Sequence, residues 1–478
     1  MSSTPMMIET QQSEDEKVKP VSRFAWLSAL LFAGAVLRIL IWNSTAGMPV
    51  QIVDAQDYNR LAVGLVETGK YLTPSGELSS QRPPLYPWLV AQIYRLHGVE
   101  NFQAVRAWQG LLSLCTVLLV YRLGVLIYSP SVGLWAAAFA TFYPSLLGFN
   151  CLLLSETLFT FLLTAGTCLI LEAKYRNRLW LLALAGVVMG LAALTRSVQL
   201  MTLPFLGVYL GFVWNGKLGR KLIAACLPIL FFGLTIAPWS YRNTQVQEVF
   251  TLIDVMGGRN AMMGNYEHTP LDRSWATISD VTGDKAWHVV LQEKNPEVQG
   301  MTQGQLDKAA MKYGIEFVLK HPVLSAQRTI VRFFNFWQLE RTLVAGTQKG
   351  LWGELTKLQL LIMAAVIMGA YATVMYAAFL GMWLSPPEQK SDLILLGISI
   401  LVPCLIHSAI FAHSRYHLPL MPLMYLFAAA AVTHLRVIYR QLGTMRFWLA
   451  ISCCLILTLG WLREIVFVDL AQTQLLIN

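Results

Sequence analysis

The feature that most constrains this chain is a series of apolar stretches, each about 20 residues long and nearly free of charge. A stretch of that length crosses a bilayer as a helix, since a helix satisfies its backbone donors and acceptors without water. About eleven are present: Phe24 to Trp42, Ala107 to Val125, Val132 to Phe149, Leu152 to Leu171, Leu179 to Leu194, Leu200 to Trp214, Leu222 to Trp239, Leu358 to Trp383, Leu393 to Phe411, Leu418 to Val432 and Phe447 to Leu462. Only 13% of the 478 residues are charged and 55% are hydrophobic, where a soluble domain carries about a quarter charged residues. The chain therefore reads as an all-α polytopic membrane protein.

The net charge of +9 raises the question of nucleic acid. No block of Lys and Arg forms a continuous patch, so that class of partner is set aside. The basic residues instead punctuate the apolar stretches. Lys17, Lys19 and Arg23 precede the first; Arg122, the group Lys174, Arg176 and Arg178, the group Lys217, Arg220 and Lys221, then Lys390, and finally Arg436, Arg440 and Arg446 occupy alternate short connections. One topology puts all of them on the cytoplasmic side, with the N-terminus, and turns two long connections outward.

Residues 1–23 read as a disordered cytoplasmic arm rather than a cleavable signal peptide, being polar and acidic from Ser2 through Glu16 to Pro20. A first membrane module follows at 24–240, with an outer loop at 43–106, then a second outer segment at 241–353 and further membrane helices at 354–478. Seven cysteines lie mostly within apolar runs without metal or paired-loop spacing and read as small core residues. No period of about 20 to 50 residues marks a repeat array.

The outer loop holds the densest chemistry. From Asp57 to Glu67 the apolar positions Tyr58, Leu61, Ala62 and Leu65 follow helical spacing and Gly69 ends the pattern, which predicts a short helix along the membrane surface. Asp54 and Asp57 at its start can serve as helix caps or as exposed carboxylates. Downstream, Pro83 and Pro84 limit the backbone of Arg82, which can present its guanidinium to a phosphate or anchor to ordinary headgroups. In the second outer segment, Gln303 to Lys320 has an amphipathic pattern and Arg332 to Glu340 is aromatic, compositions that suit helices in the lipid interface.

Glu156 and Arg196 lie near the outer ends of two crossings, where they form a structural pair or face a polar cavity. Arg82, Arg196, Arg242 and Arg415 fall on the same outer face, and four arginines there suit an anionic lipid headgroup. His413 and His417 have i, i+4 spacing but no partner glutamate, and Pro419 follows, so a metal site is not expected there.

Taken together, Asp54 with Tyr58, RPPLYP at Arg82, LLSETLF around Glu156, LTRS at Arg196, PWSYRN at Pro238, GN at Gly264 and RYHLPLMP at Arg415 resemble the GT-C superfamily of integral-membrane glycosyltransferases. The nearest likeness is to bacterial relatives of the protein O-mannosyltransferases and of the lipid A aminoarabinose transferase, and it covers nearly the whole chain. The resemblance implies a GT-C-type bundle in a bacterial inner membrane that moves a sugar, with inversion, from a polyprenyl-phosphate donor to a lipid, glycan or protein acceptor on the outer face. It implies that Asp54 acts as base or orients the acceptor, and that Arg82 contacts the donor phosphate. It further implies a substrate-binding set of Asp57, Tyr58, Tyr86, Glu156, Arg196, Arg242, Asn243, Asn265, Arg415 and Tyr416. Ala55 stands where the O-mannosyltransferases have the second acid of an Asp-Glu pair, so their acceptor is not carried over. No cofactor is specified, although a divalent metal is compatible with such chemistry. A flippase for lipid-linked sugars and a lipid-linked glycan polymerase or ligase are the alternatives; the first would be expected to show two related halves, which this sequence lacks.

Overall fold

The computed structural model describes residues 20–347 and 350–467. The arm expected at the N-terminus lies, up to residue 19, outside the described residues. Among these residues the fold is helical, with isolated bridges at Leu72–Leu78 and Leu351–Gly353 but no extended strand.

Helix α1 (Pro20–Ser44) is the first crossing. The loop expected to face outward folds as α2 (Val53–Glu67) and α3 (Leu85–His97), which pack together. Next come α4 (Phe102–Ile127), α5 (Pro130–Phe142), α6 (Pro144–Phe149), α7 (Glu156–Arg176), α8 (Leu179–Ala193), α9 (Leu203–Val213) and α10 (Leu218–Gln247). The second outer segment forms α11 (Gly257–Gly264), α12 (Trp287–Lys294), α13 (Gln303–Lys320), α14 (Pro322–Phe336) and α15 (Thr342–Thr347). The chain closes with α16 (Lys357–Leu384), α17 (Lys390–Ile410), α18 (Met421–Thr433), α19 (Leu435–Arg440) and α20 (Met445–Phe467).

Eight of these helical segments are long and apolar enough to cross a membrane, counting Ser414–Thr433 as one unit. The other three expected crossings correspond to shorter apolar helices, Pro130–Phe142, Leu179–Ala193 and Ser197–Val213. Proline accounts for part of the shortening, because it removes a backbone donor and crowds the preceding turn. The stretch Val132 to Phe149, expected as one crossing, breaks before Pro144 into α5 and α6. The stretch from Leu200 opens on the 3-10 turn Ser197–Thr202, and α9 starts one residue before Pro204.

Two details of the outer segments differ from expectation. Asp54 and Asp57 do not cap α2: its N-cap is Ile52, which makes no side-chain cap, and both carboxylates bind guanidinium groups instead. The aromatic run Arg332 to Glu340 does not lie in the lipid interface, for Arg332, Asn335, Phe336 and Trp337 are buried. The Trp337 carbonyl accepts hydrogen bonds from Tyr371 and Trp461, and the His417 ring stacks on Trp337 at 5.7 Å, so the run is drawn into the bundle. By contrast α13 covers the amphipathic stretch as expected, opened by a capping box of Thr302 and Gln305.

Helix direction fixes two chemically distinct ends. The start of α7, the end of α8 and the end of α17 lie at one end with the outer segments. The end of α7, the starts of α10 and α17, and α19 lie at the other, with Lys174, Arg176, Arg220, Lys390 and Arg436.

Candidate active site

At the end bearing the outer segments, a cavity of about 400 Å³ opens between α2, the Arg82–Pro83 turn, the start of α7, the end of α8, α11 and the Arg415 turn. That volume is in the range of small-molecule sites, about 300–1,000 Å³.

The turn presenting Arg82 is fixed by its backbone. Tyr71 Oη donates to the carbonyls of Arg82 at 3.0 Å and Pro83 at 3.3 Å, while Leu85 N donates to the Leu194 carbonyl at 2.9 Å. Arg82 Nη2 then bridges Asp54 Oδ1 at 2.6 Å and Asp57 Oδ2 at 2.9 Å, with its guanidinium 5.5 Å from the Tyr58 ring centre. The second Asp54 oxygen accepts from Arg415 Nη2. Arg415 Nε is 3.7 Å from Glu156 Oε1, and the same oxygen is 3.0 Å from Arg196 Nη1.

The result is a continuous ladder of alternating charge, Asp57, Arg82, Asp54, Arg415, Glu156 and Arg196, drawn from five parts of the chain. Glu156 is only 2% exposed, and a buried carboxylate of this kind is tolerated because it is paired. Burial alone would raise the Asp54 carboxyl, but Arg415 and Arg82 outweigh it and hold it well below the ordinary carboxylate range. Tyr416 supports the far end of the ladder: Arg196 sits 5.1 Å from its ring centre and His407 stacks on it at 4.4 Å.

Two cavity-lining charges stand outside the ladder. Among the described residues Arg259, in the first turn of α11, has no carboxylate within ion-pair distance; its Nε is buried without a partner and its guanidinium lies 5.6 Å from the Trp287 ring centre. Asp254, in the turn before α11, accepts from Met256 N at 3.2 Å and from the Ser197 hydroxyl, with no guanidinium in ion-pair range. Burial, reinforced by the Asp307 charge, pushes its carboxyl up to about 6.

Of the residues expected to form a site, Asp54, Asp57, Tyr58, Arg82, Glu156, Arg196, Arg415 and Tyr416 line this cavity. Tyr86, Arg242, Asn243 and Asn265 do not. Tyr86 is buried, with its hydroxyl on Gln109 Oε1 at 2.9 Å. Arg242 Nη1 binds the Ser79 carbonyl at 2.6 Å, and Asn243 Nδ2 binds the Ile253 carbonyl at 2.7 Å. Asn265 Nδ2 donates to the Ala261 carbonyl at 3.0 Å, and its Oδ1 accepts from Arg332 at 3.2 Å. Arg242, Asn243 and Asn265 thus hold backbone and Tyr86 holds a side chain, rather than facing the cavity.

Sequence reasoning missed Ser155, Ser197, Asp254, Arg259 and Asn260. One signal was available: the Gly257-Gly258 pair between Asp254 and Arg259 marks a close backbone approach. A Cβ on Gly258 would stand 1.8 Å from the Asp307 carbonyl oxygen. Among the described residues no group of three or more His, Cys, Asp or Glu side chains is arranged to hold a metal ion. The ladder carboxylates turn their oxygens to guanidinium groups, so a divalent ion does not fit the donor set found here.

Residues 81–241 match the family described as dolichyl-phosphate-mannose-protein mannosyltransferase. No curated protein matches the chain in sequence. Among solved structures, the chain is similar to the oligosaccharyltransferase AglB from Archaeoglobus fulgidus, determined with an inhibitory peptide and a dolichol-phosphate, at 14% identity and a TM-score of 0.51 over 91% of this chain. It is also similar to ArnT from Cupriavidus metallidurans bound to undecaprenyl phosphate, at 15% identity and a TM-score of 0.51 over 88% of this chain. The chain spans 54% of the first structure's length and 63% of the second's. The family match is thus carried by residues 81–241, and the chain shares its fold with AglB and ArnT.

Proposed function

We propose that the protein moves a sugar, with inversion, from a polyprenyl-phosphate carrier to an acceptor hydroxyl or amine on the outer face of a bacterial inner membrane. The observation that carries this reading is the cavity itself, in which an unpartnered guanidinium, Arg259, stands beside a ladder of paired charges.

An anion entering this cavity meets Arg259 first, since Arg82 and Arg415 are engaged with carboxylates. A phosphate there also competes with Asp54 for Arg82, and each contact it takes loosens the hold on the Asp54 carboxylate. Donor binding thus raises the basicity of Asp54, which takes the acceptor proton as the new glycosidic bond forms. The sugar–phosphate C–O bond breaks with its electron pair going to the phosphate oxygen. Guanidinium groups stabilise that developing charge. An apolar groove between α9 and α17, lined by Phe205, Val208, Phe212, Ile394 and Ile398, suits the polyprenyl tail. At its other end α17 supplies His407 to the cavity, which Val198 and Phe411 also line. The basic connections at the opposite end favour a cytoplasmic placement of that end.

The test is to incubate the purified protein with a panel of polyprenyl-phosphate sugars and candidate acceptors and to measure free polyprenyl phosphate. Turnover is expected with one member. Asp54→Asn should abolish transfer while retaining binding of undecaprenyl phosphate, and Arg259→Ala should weaken that binding about tenfold or more. Absence of release throughout the panel, with movement of the intact lipid across vesicles, would replace the transferase reading by a transporter.

A further inference from the structure

The turn that carries Asp254 is one of the most firmly held loops around the cavity. The Ile253 carbonyl accepts from both Trp239 Nε1 at 2.8 Å and Asn243 Nδ2 at 2.7 Å, and Val255 N donates to the Ser80 carbonyl at 3.1 Å. Asn243 is fully buried and its Oδ1 accepts from Ser80 Oγ at 2.9 Å, so α10, the outer loop and this turn are locked together. Both peptide groups flanking Asp254 are therefore fixed from outside the cavity, one by two side chains and the other by the Ser80 carbonyl, while its carboxylate lines the cavity.

This rigidity supports no ion pair. The three ladder carboxylates each meet at least one guanidinium, whereas Asp254 accepts only from a backbone N–H and a serine hydroxyl. A carboxylate oxygen has about two acceptor sites, so the group enters the cavity with unused capacity. Its charged form is left short of donors, in keeping with a carboxyl raised to about 6. The groups acting on it are Asp307 on α13, which opposes its ionisation, and Arg82 of the outer loop, which favours it; Arg259 on α11 is the cation nearest in sequence.

Resting on the donor reading above, we infer that Asp254 is the sugar-recognition residue of the cavity, accepting hydrogen bonds from hydroxyl groups of the sugar carried on the lipid phosphate. The sugar is bonded directly to the phosphate, so a phosphate held at Arg259 brings the ring to the wall that Asp254 and Arg259 share, five residues apart. Asn260 beside Arg259 adds an amide to the same wall.

The experiment compares binding of undecaprenyl phosphate with that of undecaprenyl-phospho-mannose, -glucose and -galactose to the wild type and to Asp254→Asn in detergent. At least one sugar-bearing lipid should bind wild type more tightly than the bare carrier. Asp254→Asn should remove about ten- to hundredfold of that preference while leaving undecaprenyl phosphate binding, and hence the fold, unchanged. The preference should also weaken in the wild type as pH falls through about 6, because protonation removes the charged acceptor, and should be flat in Asp254→Asn. An unaltered preference in the variant overturns the assignment, as does a wild type that binds no sugar-bearing lipid better than the carrier. Loss of undecaprenyl phosphate binding by the wild type itself would instead defeat the donor reading.

Discussion

Asp54 and Asp254 are both aspartates on one cavity wall or its neighbour, yet their surroundings give them opposite effects on stability. Asp54 has a depressed carboxyl, so its contribution is present above the unfolded carboxylate range near 4 and is lost only as pH falls further. Asp254 is raised to about 6, so its contribution is fullest below about 4 and is lost as pH rises through 6. At pH 7 the first group stabilises the fold and the second costs it. Thermal unfolding in detergent should therefore separate the variants: Asp54→Asn strands Arg82 and Arg415 and lowers the midpoint, by about 2–4 kcal/mol, whereas Asp254→Asn raises it, by on the order of 1–2 kcal/mol after allowance for solvent. Equal shifts of the same sign would refute this account. At this scale the sequence exposed the ladder because its members sit in short motifs of unusual chemistry, such as SETL and RPP. It hid Asp254 and Arg259, since a single charge in a long polar segment looks like any solvated residue.

At the scale of the element, α11 is the piece on which the cavity depends most. It is eight residues long and opens and closes on glycines. A Cβ on Gly264 would lie 1.9 Å from the Ile410 carbonyl oxygen at the end of α17. Gly264→Ala must therefore push α11 away from α17 and carry Arg259 with it. Such overpacking typically costs about 1–3 kcal/mol, and we expect a lower unfolding midpoint together with weakened undecaprenyl phosphate binding; unchanged values for both would show that the contact yields without moving the wall. The amphipathic period of Gln303–Lys320 made α13 legible in advance. The burial of Arg332 and of Asn335 to Trp337 was not, because an aromatic run with one arginine fits a lipid interface and a packed interior equally well. The partner that decides the matter, the His417 region, lies about 80 residues further along.

For the whole molecule, apolar length made the helices readable, and the eight long and three shorter apolar helices fall where the stretches do. What could not be read was which outer side chains meet, since Arg415 and Asp54 are separated by 361 positions. The topology has a direct check. In intact cells an impermeant thiol reagent should label a cysteine at exposed Ser75, in the first long connection, and should label one at Thr444, between α19 and α20, only after the membrane is permeabilised. Labelling of both from one side would invalidate the arrangement of ends.

The ladder also has a consequence for biosynthesis. The ribosome makes Asp54 and Arg82 early and Arg415 late, so the emerging chain inserts most of its membrane helices before the central rung can close. Until then Asp54 lacks one of its two cations, and Glu156 has only Arg196. A product interrupted before the last few helices is left with an open, poorly paired cavity. On the proposed function, transfer is thereby tied to completion of the polypeptide, and a truncated copy in the membrane has no means of drawing on the lipid-linked sugar.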